Sequence, residues 1–403
     1  MSRSTGPRTA VRIALYLWPA VALCWTAAPG AAGGKPLELT VPPSEVPMAM
    51  ALLLPGDAQF DAAASWQLEA VGTPSGAPVP AQFSLEPDRK PALCFVAPAA
   101  GGPPDEPRRY RLVKAPKQTA ASFRIEDTEQ KYLRVLQGDD RVLTYNYGTI
   151  QHPDVSESMW RSCYVHPIYG LDGEMLSDDF PKDHRHHRGL FWTWARVIVG
   201  GAEHDLWAVR GCVQRFDRVL HQDTGPVCAT LGIANRWLVG EKPIVKETVW
   251  LRAFTAGDVG RAVDVDVTLE AIDEPLTIGG RPDKGYSGMT LRFAPREDTV
   301  ITTPAGKQQK DSDRERYAWA DLSARFGGAA KPSGAALFDH AANPGFPNGW
   351  TLRPYGVLDC AWPGVATYEL KPGAPLRLRY RIWLHRGDAE SGKVAAAYEA
   401  FQN

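Results

Sequence analysis

The sequence predicts a mainly β chain in which two antiparallel sheets pack face to face, preceded by a small N-terminal β domain. Apolar and polar residues alternate in 263–270 (VDVDVTLE) and largely in 376–385 (LRLRYRIWLH), which places the apolar side chains on one face of each strand. Turn signals rich in glycine and proline separate such runs. The clearest helix candidate is the tail, 389–401, where alanine, glutamate and lysine favour helix.

The first 32 residues resemble a secretory signal peptide. Three arginines precede the apolar run 13–23, and small residues follow it. We therefore predict cleavage near Ala32 and a periplasmic or extracellular protein. Later segments have too few consecutive apolar residues to span a membrane, so no integral membrane segment is expected after cleavage.

Composition and length set the domain prediction. Residues 35–117 are rich in proline, glycine and alanine around short apolar runs, which predicts the small β domain, and the larger β domain is expected over 118–403. Lys and Arg total 45 and Asp and Glu total 46, so no basic excess exists to bind nucleic acid. Five scattered cysteines follow the signal, none in a CxxC pair, and are expected to be buried free thiols. No feature of the sequence indicates the oligomeric state.

The densest group of chemically active side chains lies between Arg161 and Trp194. It holds four of the nine histidines: His166, His184, His186 and His187. Glycine and proline punctuate the region, which predicts a long loop entering a strand near Leu190.

Three chemical interpretations of this region compete. Imidazole titrates near neutral pH, so the histidines and acids could exchange protons with a sugar. In an extended segment His184 and His186 share one face while His187 points the other way, so the pair could ligate a metal with Asp179 or Asp183. The histidines could also simply hydrogen-bond within a polar loop. Proton transfer or substrate binding is favoured, and no cofactor is predicted, with a metal kept as the alternative.

Further candidates lie elsewhere in the chain. Glu247 falls on the same alternating face as Val245 and Val249, so it is a candidate base with a pKa raised by burial. Tyr286 lies in a glycine-flanked turn and could line a ligand cleft. Aromatic faces stack on sugar rings, and arginine or asparagine bonds hydroxyls, so the regions 339–344 and 350–356 form a candidate carbohydrate wall.

These blocks together resemble the PmoA-like family of unknown function. The residues that carry the resemblance are 164–167 (YVHP), 178–181 (DDFP), 183–190 (DHRHHRGL), 285–288 (GYSG), 339–344 (DHAANP) and 350–356 (WTLRPYG). The resemblance covers roughly residue 122 to the C-terminus. It implies a secreted protein near polysaccharide-degrading systems, with a body similar to the galactose-mutarotase supersandwich, a fold class that uses histidines and a carboxylate at an anomeric centre without a metal. A methane monooxygenase subunit would be a polytopic membrane protein, so the oxygenase activity that the label suggests is rejected.

The sequence therefore predicts a secreted carbohydrate-active enzyme, an epimerase, hydrolase or lyase, that uses histidine and carboxylate acid–base chemistry on a sugar. The predicted catalytic residues are His166, His184, His186, His187, Asp179 and Glu247. The predicted substrate-binding residues are Arg161, Arg188, Trp192, Tyr286, Arg292, His340, Asn343, Trp350 and Arg353. The alternatives are a non-catalytic carbohydrate-binding protein that uses Trp192, Trp350 and Arg353, and a metal-dependent sugar-processing enzyme.

Overall fold

The computed structural model describes residues 25–27, 37–54, 64–72, 77–100, 106–116 and 122–402. The predicted signal peptide, 1–32, lies outside these residues except for 25–27, so its cleavage stays a prediction. Within the described ranges, no helix is long and apolar enough to cross a membrane.

The N-terminal strands form one antiparallel sheet. The strands are β1 (Trp25–Ala27), β2 (Leu37–Val41), β3 (Met48–Leu53), β4 (Trp66–Ala70), β5 (Val79–Leu85), β6 (Pro91–Ala97) and β7 (Arg108–Lys114). Their order in the sheet is β1-β2-β7-β4-β5-β6-β3. Buried residues such as Met48 and Phe95 pack against Phe254 and Trp383 of the following layer. The division into domains at 35–117 and 118–403 stays a prediction.

The rest of the described chain is also built of antiparallel strands. The strands are β8 (Phe123–Thr128), β9 (Tyr132–Gln137), β10 (Asp140–Asn146), β11 (Tyr164–Ile168), β12 (Leu190–Trp194), β13 (Arg196–Val199), β14 (Ala202–His204), β15 (Val213–Thr224), β16 (Cys228–Val239), β17 (Lys242–Phe254), β18 (Gly260–Ala271), β19 (Leu276–Gly279), β20 (Ser287–Arg292), β21 (Arg296–Thr303), β22 (Gly306–Gln308), β23 (Ser312–Arg316), β24 (Trp319–Phe326), β25 (Ser333–Asp339), β26 (Gly349–Arg353), β27 (Val357–Ala361), β28 (Thr367–Leu370) and β29 (Leu376–Arg386). A short 3-10 helix spans Glu157–Met159.

Two nine-stranded sheets form the sandwich. The front sheet has the order β23-β26-β27-β20-β12-β11-β10-β9-β8, and the back sheet has the order β15-β16-β17-β18-β29-β25-β24-β21-β22. A four-stranded sheet, β14-β13-β19-β28, completes the described strands. Leu190 and Met289 of the front sheet share one core with Val249 and Val265 of the back sheet. The prediction of a mainly β, antiparallel two-sheet sandwich is confirmed.

The alternation of apolar and polar residues correctly located two strands of the back sheet, whereas the predicted start of the helix differs from that in the structure. The alternating runs 263–270 and 376–385 lie within β18 and β29, which pair with each other. The single α-helix among the described residues, α1 (Val394–Gln402), begins later than predicted. Asp388 and Ser391 hydrogen-bond with each other ahead of it, and Lys393 has a φ of +48°, so a turn replaces the first helical residues. The five described cysteines are free and buried, as predicted.

Candidate functional site

Strand alternation divides the front sheet into a core face and an outer face. Leu190 and Trp192 of β12 point into the core between the sheets, whereas Phe191 points the other way. Phe191 lies opposite Thr290, and Thr290 lies opposite Asp359, so these residues share the outer face. Trp192 was predicted to bind substrate. This prediction is wrong, because Trp192 is 1% exposed within the core.

The segment 169–189 connects β11 to β12 and carries most of the predicted catalytic residues. It is not extended: the backbone amide of His184 donates to the Pro181 carbonyl at 3.1 Å, and that of His187 donates to the His184 carbonyl at 2.9 Å. In successive turns, side chains three residues apart lie on the same side. His184 and His187 therefore come together, which corrects the prediction that His187 points away from the other two. The His186 ring also lies near His184, with centroids 5.9 Å apart.

His184, His186 and His187 form a compact group, here called the histidine cluster. The ring of His184 stacks on His187 with centroids 4.7 Å apart and on Tyr355 with centroids 5.1 Å apart. His186 meets the His187 ring edge-on at 4.7 Å. Tyr355 is 42% exposed and His187 only 3%, so the column of rings runs from solvent into the protein.

An aromatic pair closes one side of the histidine cluster. The Trp207 ring lies 5.7 Å from His187, 5.2 Å from Phe191 and 4.7 Å from Tyr286. The structure thus brings the predicted residue Tyr286 to the histidines. Tyr355 lies within the predicted carbohydrate wall, 350–356, although it is not among the individually predicted site residues. Trp207 was missed, because it follows an ordinary hairpin and had no distinguishing signal.

The buried histidines are held in the neutral form. Burial lowers the pKa of His187 well below its usual value, and the neighbouring histidines and Arg292 lower it further. Burial, followed by the charge of Arg161, lowers the pKa of His186 to about 4. At neutral pH both imidazoles are therefore free to accept a proton.

His166 also lies on the outer face, on β11. Its Nδ1 is 2.9 Å from Ser177 Oγ, which accepts a hydrogen bond from the Ile168 amide at 2.8 Å. Burial and then the charge of Arg188 lower the His166 pKa to about 4. The imidazole is thus held in place by Ser177 and kept neutral.

Asp179, in segment 169–189, is a carboxylate whose side chain is only 13% exposed. Tyr164 Oη donates to Oδ2 at 2.7 Å, and Arg188 Nε lies 3.4 Å from Oδ1. Burial raises the Asp179 pKa to about 6, although Arg188 and Tyr164 act to lower it. A carboxyl group with this pKa can carry a proton under mildly acidic conditions and release it near neutrality.

The metal alternative has no support in this geometry. Among the described residues, no three His, Cys, Asp or Glu side chains form a group that could hold a metal ion. His184 Nδ1 lies 3.0 Å from Asp183 Oδ2, and Arg292 Nη2 donates to Asp183 Oδ1 at 2.7 Å. Burial would raise the Asp183 pKa, but these hydrogen bonds outweigh it and the pKa lies below its usual value. Asp183 is therefore committed to His184 and Arg292.

Three of the predicted substrate-binding arginines line the site, each at most 5% exposed. The Arg188 guanidinium donates to backbone carbonyls, including that of His187 at 2.6 Å, and so ties segment 169–189 together. Arg292 lies 5.0 Å from the Tyr355 ring centroid. Arg161 lies 5.5 Å from the Phe191 ring centroid.

Glu247, a predicted catalytic base, lies in the core instead. It is 1% exposed, and it accepts hydrogen bonds from Trp237 at 2.7 Å, Asn235 at 2.7 Å and Gln214 at 2.9 Å. Burial raises its pKa, as expected. The prediction of a catalytic role is wrong, because Glu247 lies on β17 between the sheets and a substrate has no access to it.

The predicted carbohydrate wall is also wrong in part. Trp350 is fully buried in the sandwich core, where its Nε1 donates to the Tyr317 carbonyl at 2.8 Å. Arg353 lies in the row of Arg292 on the front sheet, but its guanidinium is bound to Asp313. Because Trp192 and Trp350 are both core residues, the binding-module alternative loses its sugar-stacking surface.

His340 and Asn343 lie in a different part of the molecule. They follow β25 of the back sheet, whereas the histidine cluster lies outside the front sheet. His340 packs against Phe401 of α1 at 5.1 Å and lines a cavity of about 260 Å³ between the N-terminal and back sheets. Asn343 Nδ2 donates to Asp339 Oδ1 at 2.8 Å and is buried. The cavity lies away from the histidine cluster, so we place the site by its side-chain chemistry rather than by the cavity.

Comparisons with known proteins give a family but no activity. No curated protein matches this chain. The solved structures that it resembles include a galactose mutarotase related enzyme from Lactobacillus acidophilus (10% identity, TM-score 0.34, 65% of this chain and 97% of that chain) and a GalM/aldose epimerase homologue from C. elegans (8% identity, TM-score 0.29, 67% and 100%). Similarities this weak do not indicate the chemistry of this chain. A family described as "Family of unknown function (DUF6807)" matches residues 132–399. The PmoA-like label stays a prediction, and the chain belongs to the DUF6807 family.

Proposed function

We propose that this chain is a carbohydrate-active enzyme in which the histidine cluster and Asp179 transfer protons on a sugar. The observation that carries the proposal is the column of Tyr355, His184 and His187 beside the Trp207 and Tyr286 pair. Aromatic ring faces suit the apolar faces of sugar rings, and the imidazoles among them are suited to proton transfer. Epimerisation, hydrolysis and elimination all require such transfer.

The proposed proton donor, Asp179, has a higher pKa than the proposed acceptor, His186, whereas a carboxyl group usually has a lower pKa than an imidazole. The Asp179 pKa is about 6 and the His186 pKa is about 4. Between these values the carboxyl group holds a proton while the imidazole has a free lone pair. Acid and base are then present at the same time, with the charge of Arg188 acting on both groups, and this is the combination that general acid–base catalysis needs.

Neighbouring residues keep these groups in position. Tyr164 and Arg188 contact the two oxygens of Asp179. Asp183 bonds His184. Catalytic groups act efficiently only when they are held close to the reacting geometry, so we assign these neighbours positioning roles.

The proposal is tested by screening the purified chain against neutral and acidic mono- and oligosaccharides. NMR of the anomeric protons reports epimerisation, new reducing ends report hydrolysis, and absorbance of unsaturated products reports elimination. We expect turnover that the His186→Gln variant loses and the His340→Gln variant keeps, because His340 lies in the other part of the molecule. A folded protein that neither binds nor turns over any sugar would contradict the proposal.

We also propose that the protein is exported. The support is the arginine-flanked apolar run within residues 1–32. N-terminal sequencing of the mature protein after expression in a bacterial host with a periplasm tests this. We expect a new N-terminus near Ala32 in the periplasmic or extracellular fraction, and an intact chain confined to the cytoplasm would contradict it.

A further inference from the structure

The arginines of the site differ in how their positive charge is balanced. Arg188 faces Asp179, and Arg292 faces Asp183. Arg161 donates to the carbonyls of Leu206 and Trp207, but in the described part of the chain it forms no ion pair with a carboxylate. A buried guanidinium without an anionic partner is unusual, since burying a charge is costly unless the charge is paired.

Unused hydrogen-bond donors surround the same place. Arg161 Nη1, Arg292 Nε and Arg292 Nη1 are buried, and none has a hydrogen-bond partner among the described residues. Buried polar atoms are nearly always bonded in folded proteins. All three atoms belong to guanidinium groups, which match the geometry of a carboxylate or sulfate.

These donors belong to one region of the outer face. Arg161 lies beside Phe191, whose ring is 6.0 Å from His187, and Arg292 lies beside Tyr355 at the other end of the ring column. Both guanidiniums are close enough to His187 to affect its ionisation. The exposed Arg210 acts on His186 in the same way. Arginine charges thus act on two members of the histidine cluster, although the whole chain has a net charge of −1.

We propose that the substrate is an acidic sugar whose carboxylate or sulfate group pairs with Arg161 beside the histidine cluster, while Arg292 binds another oxygen of the same saccharide. This inference rests on the proposed function and specifies its substrate class. The anionic group supplies the missing partner of Arg161, and the saccharide supplies acceptors for the unused donors. A neutral sugar supplies hydroxyl acceptors but no charge, so we expect it to bind more weakly.

The test is calorimetric titration of the whole chain with matched sugars. Glucuronate is compared with glucose, galacturonate with galactose, and glucose 6-sulfate with glucose, while inorganic sulfate serves as a free anion. We expect at least one acidic sugar to bind about 10-fold or more tightly than its neutral partner, with a preference that falls as salt rises. The carboxylate and sulfate arms identify the group.

Variants locate the preference in the site. Arg161→Gln is expected to lose most of the preference for the acidic sugar and Arg292→Gln to weaken acidic and neutral sugars alike, whereas Arg325→Gln, an arginine on β24 of the back sheet, keeps the preference. The comparison of acidic with neutral sugars on the wild-type chain tests the inference even if Arg161→Gln or Arg292→Gln fails to fold.

Three outcomes would overturn the inference. Equal or tighter binding of the neutral sugars would overturn it and leave the proposed function standing. Inorganic sulfate that binds as tightly as every acidic sugar would show that the site takes a free anion. If no sugar of either kind binds, this inference and the proposed function both fail.

Discussion

Asp179 outside the front sheet and Glu247 between the sheets both have pKa values raised by burial, although the Asp179 side chain is 13% exposed and Glu247 is 1% exposed. Glu247 accepts hydrogen bonds from Trp237, Asn235 and Gln214, whereas Asp179 accepts one from Tyr164 and has an oxygen that faces Arg188 without a hydrogen bond. A raised pKa alone therefore does not indicate a reactive carboxylate. The proposed role of Asp179 depends instead on its few hydrogen bonds and on its position outside the core between the sheets.

The largest expected effect is on activity when Asp179 is neutralised. Asp179→Asn removes the proposed proton donor, so we expect kcat/KM on a sugar substrate to fall about 100- to 10,000-fold. The circular dichroism spectrum should stay that of the wild type. Glu247→Gln is the matched control and should keep its activity per folded molecule. An Asp179→Asn variant with normal kcat/KM would remove Asp179 from the mechanism.

The next largest effect is on stability when Glu247 is truncated. Glu247→Ala leaves the donors of Trp237, Asn235 and Gln214 without their acceptor, so we expect the free energy of unfolding to fall by about 3–5 kcal/mol. Urea denaturation measures it. Glu241→Ala, in the exposed turn before β17, should change stability by less than about 0.5 kcal/mol. Equal effects of the two substitutions would show that the Glu247 hydrogen bonds do not stabilise the core.

A third effect concerns the pH dependence of stability. Because burial raises the Asp179 pKa to about 6, the folded state binds the proton more tightly than the unfolded state, whose pKa is near 3.8. The stabilisation that protonation provides is complete at low pH and is lost as pH rises through about 6. Asp179→Asn should therefore gain stability relative to the wild type, by up to about 3 kcal/mol, between pH 4 and pH 7. Unfolding curves at both pH values measure this change, and a constant difference would mean that the pKa is not raised.

The smallest effect is expected at the exposed end of the ring column. Tyr355→Ala removes a stacking surface worth about 0.5–1.5 kcal/mol, so KM should rise about 2- to 10-fold while kcat changes little. Tyr355→Phe retains the ring and should behave as the wild type. A fall in kcat with unchanged KM would instead place Tyr355 among the reacting groups.

Several of these features could be predicted from local sequence patterns. Alternation located β18 and β29, and it correctly placed Glu247 on the buried face of β17. The same alternation indicates that Trp192 is a core residue, contrary to the prediction that it binds substrate. Trp192 lies two residues after Leu190 in a strand, so it shares the core face with it.

The errors in the site have a common physical cause. Trp350, His340 and Asn343 are residue types that bind sugars, but residue type does not determine which side of a sheet or which layer a side chain occupies. The structure assigns Trp350 to the core, and His340 to the region between the N-terminal and back sheets. Whether a residue can contribute to the site depends on the layer in which its side chain lies.

The sequence alone predicted the strand periodicity, the mainly β class and the loop that carries the histidines, because each depends on residues that are near neighbours in the chain. The winding of segment 169–189, which stacks His184 on His187, was not predicted. Nor was the meeting of Arg161, Trp207, Arg292 and Tyr355 around the histidines. Arg292 lies on β20, whereas Arg161 precedes β11, Trp207 follows β14 and Tyr355 lies in the turn between β26 and β27, so the pairing of distant strands decides where they meet. Pairing between distant strands depends on the packing of the whole sandwich, and local sequence patterns do not encode it.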